Sequence, residues 1–341
     1  MSTADVSVII VNWNGKAFLE ECLSSLASQR YQNFEVILVD NGSDDGSSEY
    51  VVSSFPWVRI VALHVNSGFA AGNNAGYEHS SGKYIVTLNN DTKVDENWLE
   101  ELVKTADSDE EVGMVASCIC QYFDPTRVDS LGVRICADGM SRGAFRFNLL
   151  ADVPLLNCDE VLVPSACAAL YKRDMIEAIG FFDEDYFAYC EDTDLGLRGR
   201  LAGWKAIIAR HALVFHKYSM TGGSFSPFKL YLVERNHFWL AIKCLPLSHL
   251  LLLPWSTLLR YLLQARLVRT EKGSGGDFRG SSNKKACLQA FLRGIVDALN
   301  GIPRAVVKRN WIMNNKKMSI DEYSDLLKKF EMRFEELLDV S

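Results

Sequence analysis

Apolar runs of two kinds alternate along the first two thirds of the chain. Val6 to Trp13 (VSVIIVNW) is a run dominated by β-branched residues and bounded by polar ones, the pattern of a strand buried on both faces. Gly15 to Ser28 then places Phe18, Leu19, Cys22, Leu23 and Leu26 at helical spacing. Strands are expected next at Phe34–Val39, Arg59–His64, Tyr84–Leu88 and Val112–Cys120. Helices are expected at Gly68–His79 and from Asp95, whose apolar face is Trp98, Leu99, Leu102, Val103 and Ala106. Such alternation predicts an α/β fold built on a doubly wound, mostly parallel sheet. Residues 121–160 lose the regularity and read as hairpins or an acceptor loop. Val161–Lys172 is again a strand-like run, with small residues at its centre.

In a doubly wound sheet, ligands bind beyond the carboxyl ends of the strands. Here those ends carry Asn12 and Asn14, Asp40, Asn66 and Asp91, so four strand ends present polar side chains to one crevice; helix capping is the alternative use for each. The chain lacks GxxxxGK[ST] and has no GxGxxG after the first strand, which disfavours P-loop and dinucleotide-binding folds. Gly68, Gly72 and Gly76 recur every four residues, a spacing that fits either close packing on the sheet or, at Gly68, the approach of a nucleotide.

The densest chemistry lies in Phe181–Trp204 (FFDEDYFAYCEDTDLGLRGRLAGW). Six acids fall between Asp183 and Asp194, and a helix follows. Glu191 and Asp192 sit at its start, where acids complement the helix dipole. The aromatics before them (Phe181, Phe182, Tyr186, Phe187, Tyr189) are expected to wall a carboxylate off from water, as a general base requires. Asp194 is expected to be a helix-start acid with no special role.

Composition adds a division. The net charge is −7, yet residues 241–320 hold 14 Lys/Arg against 3 Asp/Glu, and 321–341 hold 3 against 7. Tyr231 onward is rich in leucine but interrupted by Lys243, His249 and Arg260, with Pro246 and Pro254 expected to break helicity. About 20 uninterrupted apolar residues are needed to cross a bilayer. This region therefore reads as helices lying on a membrane surface, steadied by Arg266, Arg269, Lys284 and Lys285, or else as a helical cap packed on the preceding domain or a dimer contact. Nucleic acid is not an expected partner, since aromatic and basic residues are not interleaved. Gly273–Asn283 reads as a loop. Tyr323, Leu326, Leu327, Phe330, Phe334 and Leu337 form one face of an expected last helix. The start lacks a basic segment leading into an apolar one, so no signal peptide is expected. Nine cysteines without CxxC spacing suggest a reduced, cytoplasmic chain.

Several of these segments carry a resemblance. VSVIIVNWNG, VDNGSDDGS, NSGFAAGNNAG, LNNDT, CEDTDLGLR and a late HKYS occur in the order in which family 2 glycosyltransferases of the GT-A fold carry them. The chain resembles the bacterial rhamnosyltransferase-like group of that family. The resemblance implies a catalytic domain at residues 1–240 and a helical extension at 241–341. It implies an inverting, Mg2+- or Mn2+-dependent transfer from a nucleotide-diphosphate sugar, dTDP-rhamnose first and a UDP-hexose second. The acceptor would be a glycan or lipid-linked glycan in cell-surface polysaccharide synthesis, met at the inner face of the cytoplasmic membrane. Asp192 takes the base position, with Glu191 as helper. Asp91 matches the last Asp of the DxD motif and His216 the late histidine, both toward the metal; His211 competes if the register slips. Asn89 replaces the first Asp of DxD and leaves one fewer carboxylate. Asp40 matches the base-recognising acid, with Asn12, Asn14, Asn66, Asn73 and Asn90 as further nucleotide contacts. Two readings compete: a sugar-phosphate nucleotidyltransferase, whose glycine-rich basic signature is missing from VNWNGK, and a catalytically silent sugar-nucleotide or membrane scaffold.

Overall fold

The computed structural model describes residues 4–217, 226–270 and 284–338. They divide into two compact units, one drawn from Met1–Val133 and Gly143–Thr221, the other from Arg134–Arg142 and Gly222–Ser341. The first is built on a nine-stranded sheet. Its strands are β1 (Val6–Asn12), β2 (Phe34–Asn41), β3 (Arg59–Leu63), β4 (Tyr84–Leu88), β5 (Thr92–Val94), β6 (Val112–Gln121), β7 (Val128–Ser130), β10 (Ala168–Lys172) and β11 (Lys205–His216). Their order is β3-β2-β1-β4-β10-β6-β11-β5, with β7 on β6. The half from β3 to β4 is parallel; β10 runs antiparallel to β4 and β6, and β5 antiparallel to β11. Short strands β8 (Val133–Ile135) and β9 (Ser141–Gly143) form a separate pair.

Alternation along β1 explains the two layers. Val8 and Ile10 face one core with Leu19, Leu23 and Leu26 of α1 (Lys16–Ala27) and with Trp98, Leu99 and Leu102 of α4 (Trp98–Ala106). Ile9 faces the other, with Ile37, Val39 and Ala70 of α3 (Gly68–Glu78), Met175 of α5 (Arg173–Ile179) and Leu195 of α6 (Glu191–Leu201). Gly72 and Gly76 are packing positions: a Cβ at Gly72 would lie 2.8 Å from Val11 Cγ1, and one at Gly76 2.4 Å from Ile9 Cγ2.

Several expectations need correction. An additional helix, α2 (Ser47–Ser54), follows the second strand end, and β5 was not anticipated, because three residues show no periodicity. The run Val161–Lys172 becomes strand only at Ala168. Pro254 does not break its helix: it sits inside the 24-residue α8 (Leu247–Thr270), whereas Pro246 does separate α8 from α7 (Pro227–Cys244). After α9 (Lys284–Asn314), the expected last helix is two pieces, α10 (Ile320–Lys329) and α11 (Phe334–Leu337), with Phe330 ending the first. The loop expected at Gly273–Asn283 lies outside the described residues, as do Tyr218 and Ser219 of the HKYS stretch.

Within the second unit, α9 approaches α7 through small residues: Gly294 lies over the Tyr231 carbonyl and Gly301 over the Trp239 indole. Arg309 donates to the carbonyls of Ile242 (2.8 Å) and Leu245 (2.6 Å), satisfying acceptors that the end of α7 leaves open. Arg260 is fully buried between Asp138 (2.5 Å) and Glu234 (3.2 Å).

Replacing Gly76 with valine forces side-chain atoms into Ile9 and Val39. Overpacking of this kind costs on the order of 2–3 kcal/mol, and urea unfolding of Gly76→Val should show that loss with the slope unchanged.

Candidate active site

The loops after β1 and β2 are laced together by their own polar residues. Asn14, held at φ 50°, accepts from the Asp44 amide (2.9 Å), and its amide donates to Ser43 Oγ (3.0 Å). Asp45 accepts from the Lys16 amide at the start of α1 (2.9 Å). Asn12, buried at the end of β1, donates to Ser43 Oγ (3.3 Å) and accepts from Asn90 (2.7 Å), which joins the β4 end to the same lattice. Asp40 lies level with Asn12 in the parallel register; it accepts from the Ser43 amide (3.0 Å) and from the Ser48 hydroxyl. The structure thus gathers Asn12, Asn14, Asp40 and Asn90 at one edge.

Asn66 accepts from the Gly68 amide and from Asn41, and Asn41 also binds Ser67 and the Gly68 carbonyl. Asn41 was missed as a site residue, though DNGS places it directly after Asp40. Asn73 stands apart: it lies in the second turn of α3, almost fully buried, donating to the Phe69 carbonyl (2.9 Å).

Beyond the β4 end, Asp91 and His216 meet. His216 closes β11 opposite Thr92 of β5, and its Nε2 lies 3.3 Å from Asp91 Oδ1. Its Nδ1 is 2.7 Å from Asp129 Oδ2, on β7. Burial works to lower the His216 pKa, but Cys167, Asp129 and Asp91 outweigh it and hold the ring well above its ordinary value. His211, the competing histidine, is exposed. The following Lys217 donates its amide to the Asp91 carbonyl (3.0 Å) and its ammonium to Glu21 (2.7 Å). Asp129 and Cys167 were not recognised from the sequence: both reach His216 through antiparallel pairings that no local motif announces.

Once its Nε2 proton is released, an imidazole facing one carboxylate and fixed at its other nitrogen by a second is a donor set that suits a divalent cation with several open positions. Among the described residues no group of three or more His, Cys, Asp or Glu is clustered closely enough to hold a metal unaided.

Asp192 and Glu191 begin α6. Asp192 Oδ1 accepts from the Thr193 amide (2.6 Å) and hydroxyl (3.1 Å), and Oδ2 accepts from the Ala166 amide at 3.3 Å. Burial raises its pKa. Glu191 is more deeply buried and is raised further, by burial first and then by the charge of Asp192. Its Oε2 finds no hydrogen-bond partner among the described residues. Burial and mutual repulsion therefore disfavour ionisation of both carboxyls, and of Glu191 more than of Asp192.

The turn before α6 is strained. Phe187 (φ 65°, ψ −63°) forms a γ-turn closed by the Ala188 amide on the Tyr186 carbonyl, and Tyr189 and Cys190 also have positive φ. Gly68 fits beneath it, since a Cβ there would sit 2.5 Å from the Phe187 oxygen, which accepts from the Ala70 amide. The aromatic wall is mostly core: Phe181 and Phe182 pack on each other, with Tyr77 and Tyr171 against Phe181 and with Phe69 and Tyr171 against Phe182; Tyr189 is exposed. Asp194 has a definite role. It accepts from Arg198 (2.8 Å) and the Tyr186 hydroxyl (3.1 Å), and Arg198 in turn donates to the carbonyls of Ile179, Gly180 and Phe181.

A parallel nucleotide-type half-sheet, an acid and a histidine at the β4 end, and a paired-acid helix start together define a GT-A glycosyltransferase fold. A solved structure shares it: the mannosyltransferase PcManGT from Pyrobaculum calidifontis in complex with GDP-Man and Mn2+, at TM-score 0.54 and 18% identity, covers 91% of this chain and 88% of that one. Residues 7–180 match glycosyl transferase family 2, just over half the chain, and the chain belongs to that family. It is 30% identical over 230 residues to O-antigen biosynthesis protein RfbC of Myxococcus xanthus, covering 64% of this chain but only 18% of that protein. It is 28% identical over 244 residues to the N-acetylglucosaminyl-diphospho-decaprenol L-rhamnosyltransferase of Mycobacterium tuberculosis, covering 63% and 77%.

Removing the Asp194 carboxylate leaves Arg198 charged, buried and short of its partner. Asp194→Ala should lower the unfolding free energy by about 3–5 kcal/mol in a denaturant titration.

Proposed function

We propose that the chain transfers a sugar from a nucleotide-diphosphate donor to a hydroxyl of a glycan, with inversion at the anomeric carbon, in cell-surface polysaccharide synthesis. The observation that carries this reading is the short segment Ser165–Cys167. Its Ala166 amide holds Asp192, while the adjacent Cys167 reaches His216, the partner of Asp91, and accepts from the Asn89 amide through its carbonyl. A base and a leaving-group site therefore sit on neighbouring residues of one segment.

In this reading Asp192 Oδ2, whose single bond from Ala166 is long, takes the proton of the acceptor hydroxyl. The freed oxygen forms a bond to the anomeric carbon as the bond to the diphosphate oxygen breaks, and the diphosphate leaves with the electron pair. Thr193 keeps the other oxygen occupied and so fixes the carboxylate plane. Asp91 and His216 would hold a divalent cation, Mg2+ or Mn2+, which when bound supplies charge neutralisation for the leaving diphosphate. Asp129 keeps His216 Nε2 turned toward Asp91. Asp40 and the asparagine lattice at the β1 and β2 ends are the surface offered to the nucleoside. The donor in this reading is dTDP-rhamnose, with UDP-hexoses second, and the acceptor is lipid-linked at the inner face of the cytoplasmic membrane; the rhamnosyltransferase and decaprenol named in the Mycobacterium tuberculosis relative support the rhamnosyl and lipid-linked parts.

Asp192→Asn should reduce turnover by about 10²–10⁴-fold while leaving nucleotide-diphosphate binding intact by calorimetry. Unchanged turnover would reject the base assignment, and no binding of dTDP or UDP with Mn2+ would favour the silent scaffold. The base works only when ionised, and burial raises its pKa above 3.8, so kcat/KM should climb with pH across a window above the ordinary aspartate range. Asp129→Asn should weaken Mn2+ binding by about 10–100-fold in a calorimetric titration made with dTDP present.

A further inference from the structure

Helix α8 is turned inside out relative to a helix in a water-soluble domain. Leu247, Leu251, Trp255, Leu258 and Leu262 follow one another at spacings of four, four, three and four, so they form a single stripe. These five side chains are 68, 78, 71, 46 and 60% exposed, and Leu252 and Leu259 widen the stripe on one side. The buried positions are Thr257, Arg260 and Leu267, and Arg260 occupies the interior because Asp138 and Glu234 are there to neutralise it. Helix α9 repeats the inversion. It buries Cys287, Gly294, Ala298, Gly301 and Ala305, and leaves Leu288, Leu292, Val296 and Leu299 exposed at the same helical spacing.

A stripe of about 22 Å of exposed leucine and tryptophan exceeds what a monomer usually presents to water. Its electrostatic surroundings select the occupant. Helix α8 contains no Asp or Glu, and its exposed end carries Arg266 and Arg269. Helix α9 opens with exposed Lys284 and Lys285 and carries Arg293 and Arg304 on its surface, against one acid, Asp297. A second copy would bring like-charged rims together, whereas anionic headgroups would neutralise them. No described helix is long and apolar enough to cross a membrane, and Arg260 divides the apolar length of α8. Tryptophan at position 255 suits the boundary between headgroups and acyl chains.

We infer that α8 lies in the plane of an anionic membrane, its Leu247–Leu262 stripe immersed among the acyl chains and its basic end on the headgroups. The inference does not rest on the glycosyl-transfer reading, and it specifies the helix face that would meet a lipid-linked acceptor's membrane.

The test is cosedimentation of the full chain with phosphatidylcholine vesicles, with and without phosphatidylglycerol, at low and high salt. Binding to the anionic vesicles is expected, with on the order of tenfold weaker partitioning for each of Leu251→Ser and Leu258→Ser. Both positions are exposed, and circular dichroism checks that the variants are folded. The double variant Arg266→Glu/Arg269→Glu should lose the salt-sensitive part of the binding. Binding that the leucine variants leave unchanged would overturn the inference. So would an absence of vesicle binding together with a dimer, seen by analytical ultracentrifugation, that Leu251→Ser dissociates, since a second copy would then cover the stripe. Vesicle binding without any transferase turnover would count against the catalytic reading and leave this inference standing.

Discussion

The Asp194–Arg198 pair is the interaction on which the candidate site depends. A guanidinium in the interior is tolerated when its charge is paired and its donors find acceptors. Here Asp194 supplies the charge, and the carbonyls of Ile179, Gly180 and Phe181 supply the rest. Those carbonyls belong to the end of α5 and the segment leading into the strained turn, so one buried cation fixes where α6 begins relative to the chain before it. The positive φ angles at Phe187, Tyr189 and Cys190 persist because their surroundings over-determine them, with Tyr186 held by Asp194 on one side and Phe187 held by Ala70 on the other. Asp192 inherits its position from that arrangement.

Periodicity disclosed most of the sheet, because β1, β2, β4 and β6 are buried on both faces and their sequences are correspondingly uniform. It did not disclose β5, three residues long and made by antiparallel pairing with the distant β11, and it announced β7 only as one of the hairpins expected within residues 121–160. Nor did it reveal that β10 runs against its neighbours, since strand direction leaves no mark on composition. Proline misled at position 254. Its ring costs α8 one hydrogen bond, yet the apolar residues on both sides carry the helix through.

The candidate site was legible where its residues follow strand ends in sequence, as Asn12, Asp40 and Asp91 do. It was illegible where tertiary pairing supplies the partner. Asp129 sits in an irregular stretch, and nothing near it in the chain points to a histidine 87 residues away. Asp194 was read as an ordinary helix-start acid for a related reason: its partner Arg198 resembles one more polar residue of an exposed face until the helix is seen to be buried nearly all round. Glycines 72 and 76 resolved in favour of packing, while Gly68 serves the turn at Phe187.

That last contact has a practical meaning for engineering. Gly68 begins α3 and Phe187 precedes α6, far apart in the chain, yet each requires the other: the glycine has φ +90° and no room for a side chain, and the Phe187 carbonyl occupies that room. The two segments are therefore one exchangeable part. A chimera that imports a foreign Phe181–Trp204 segment to change acceptor preference inherits the frame's residue 68, and it will seat properly only when the donor's own turn was also shaped over a glycine.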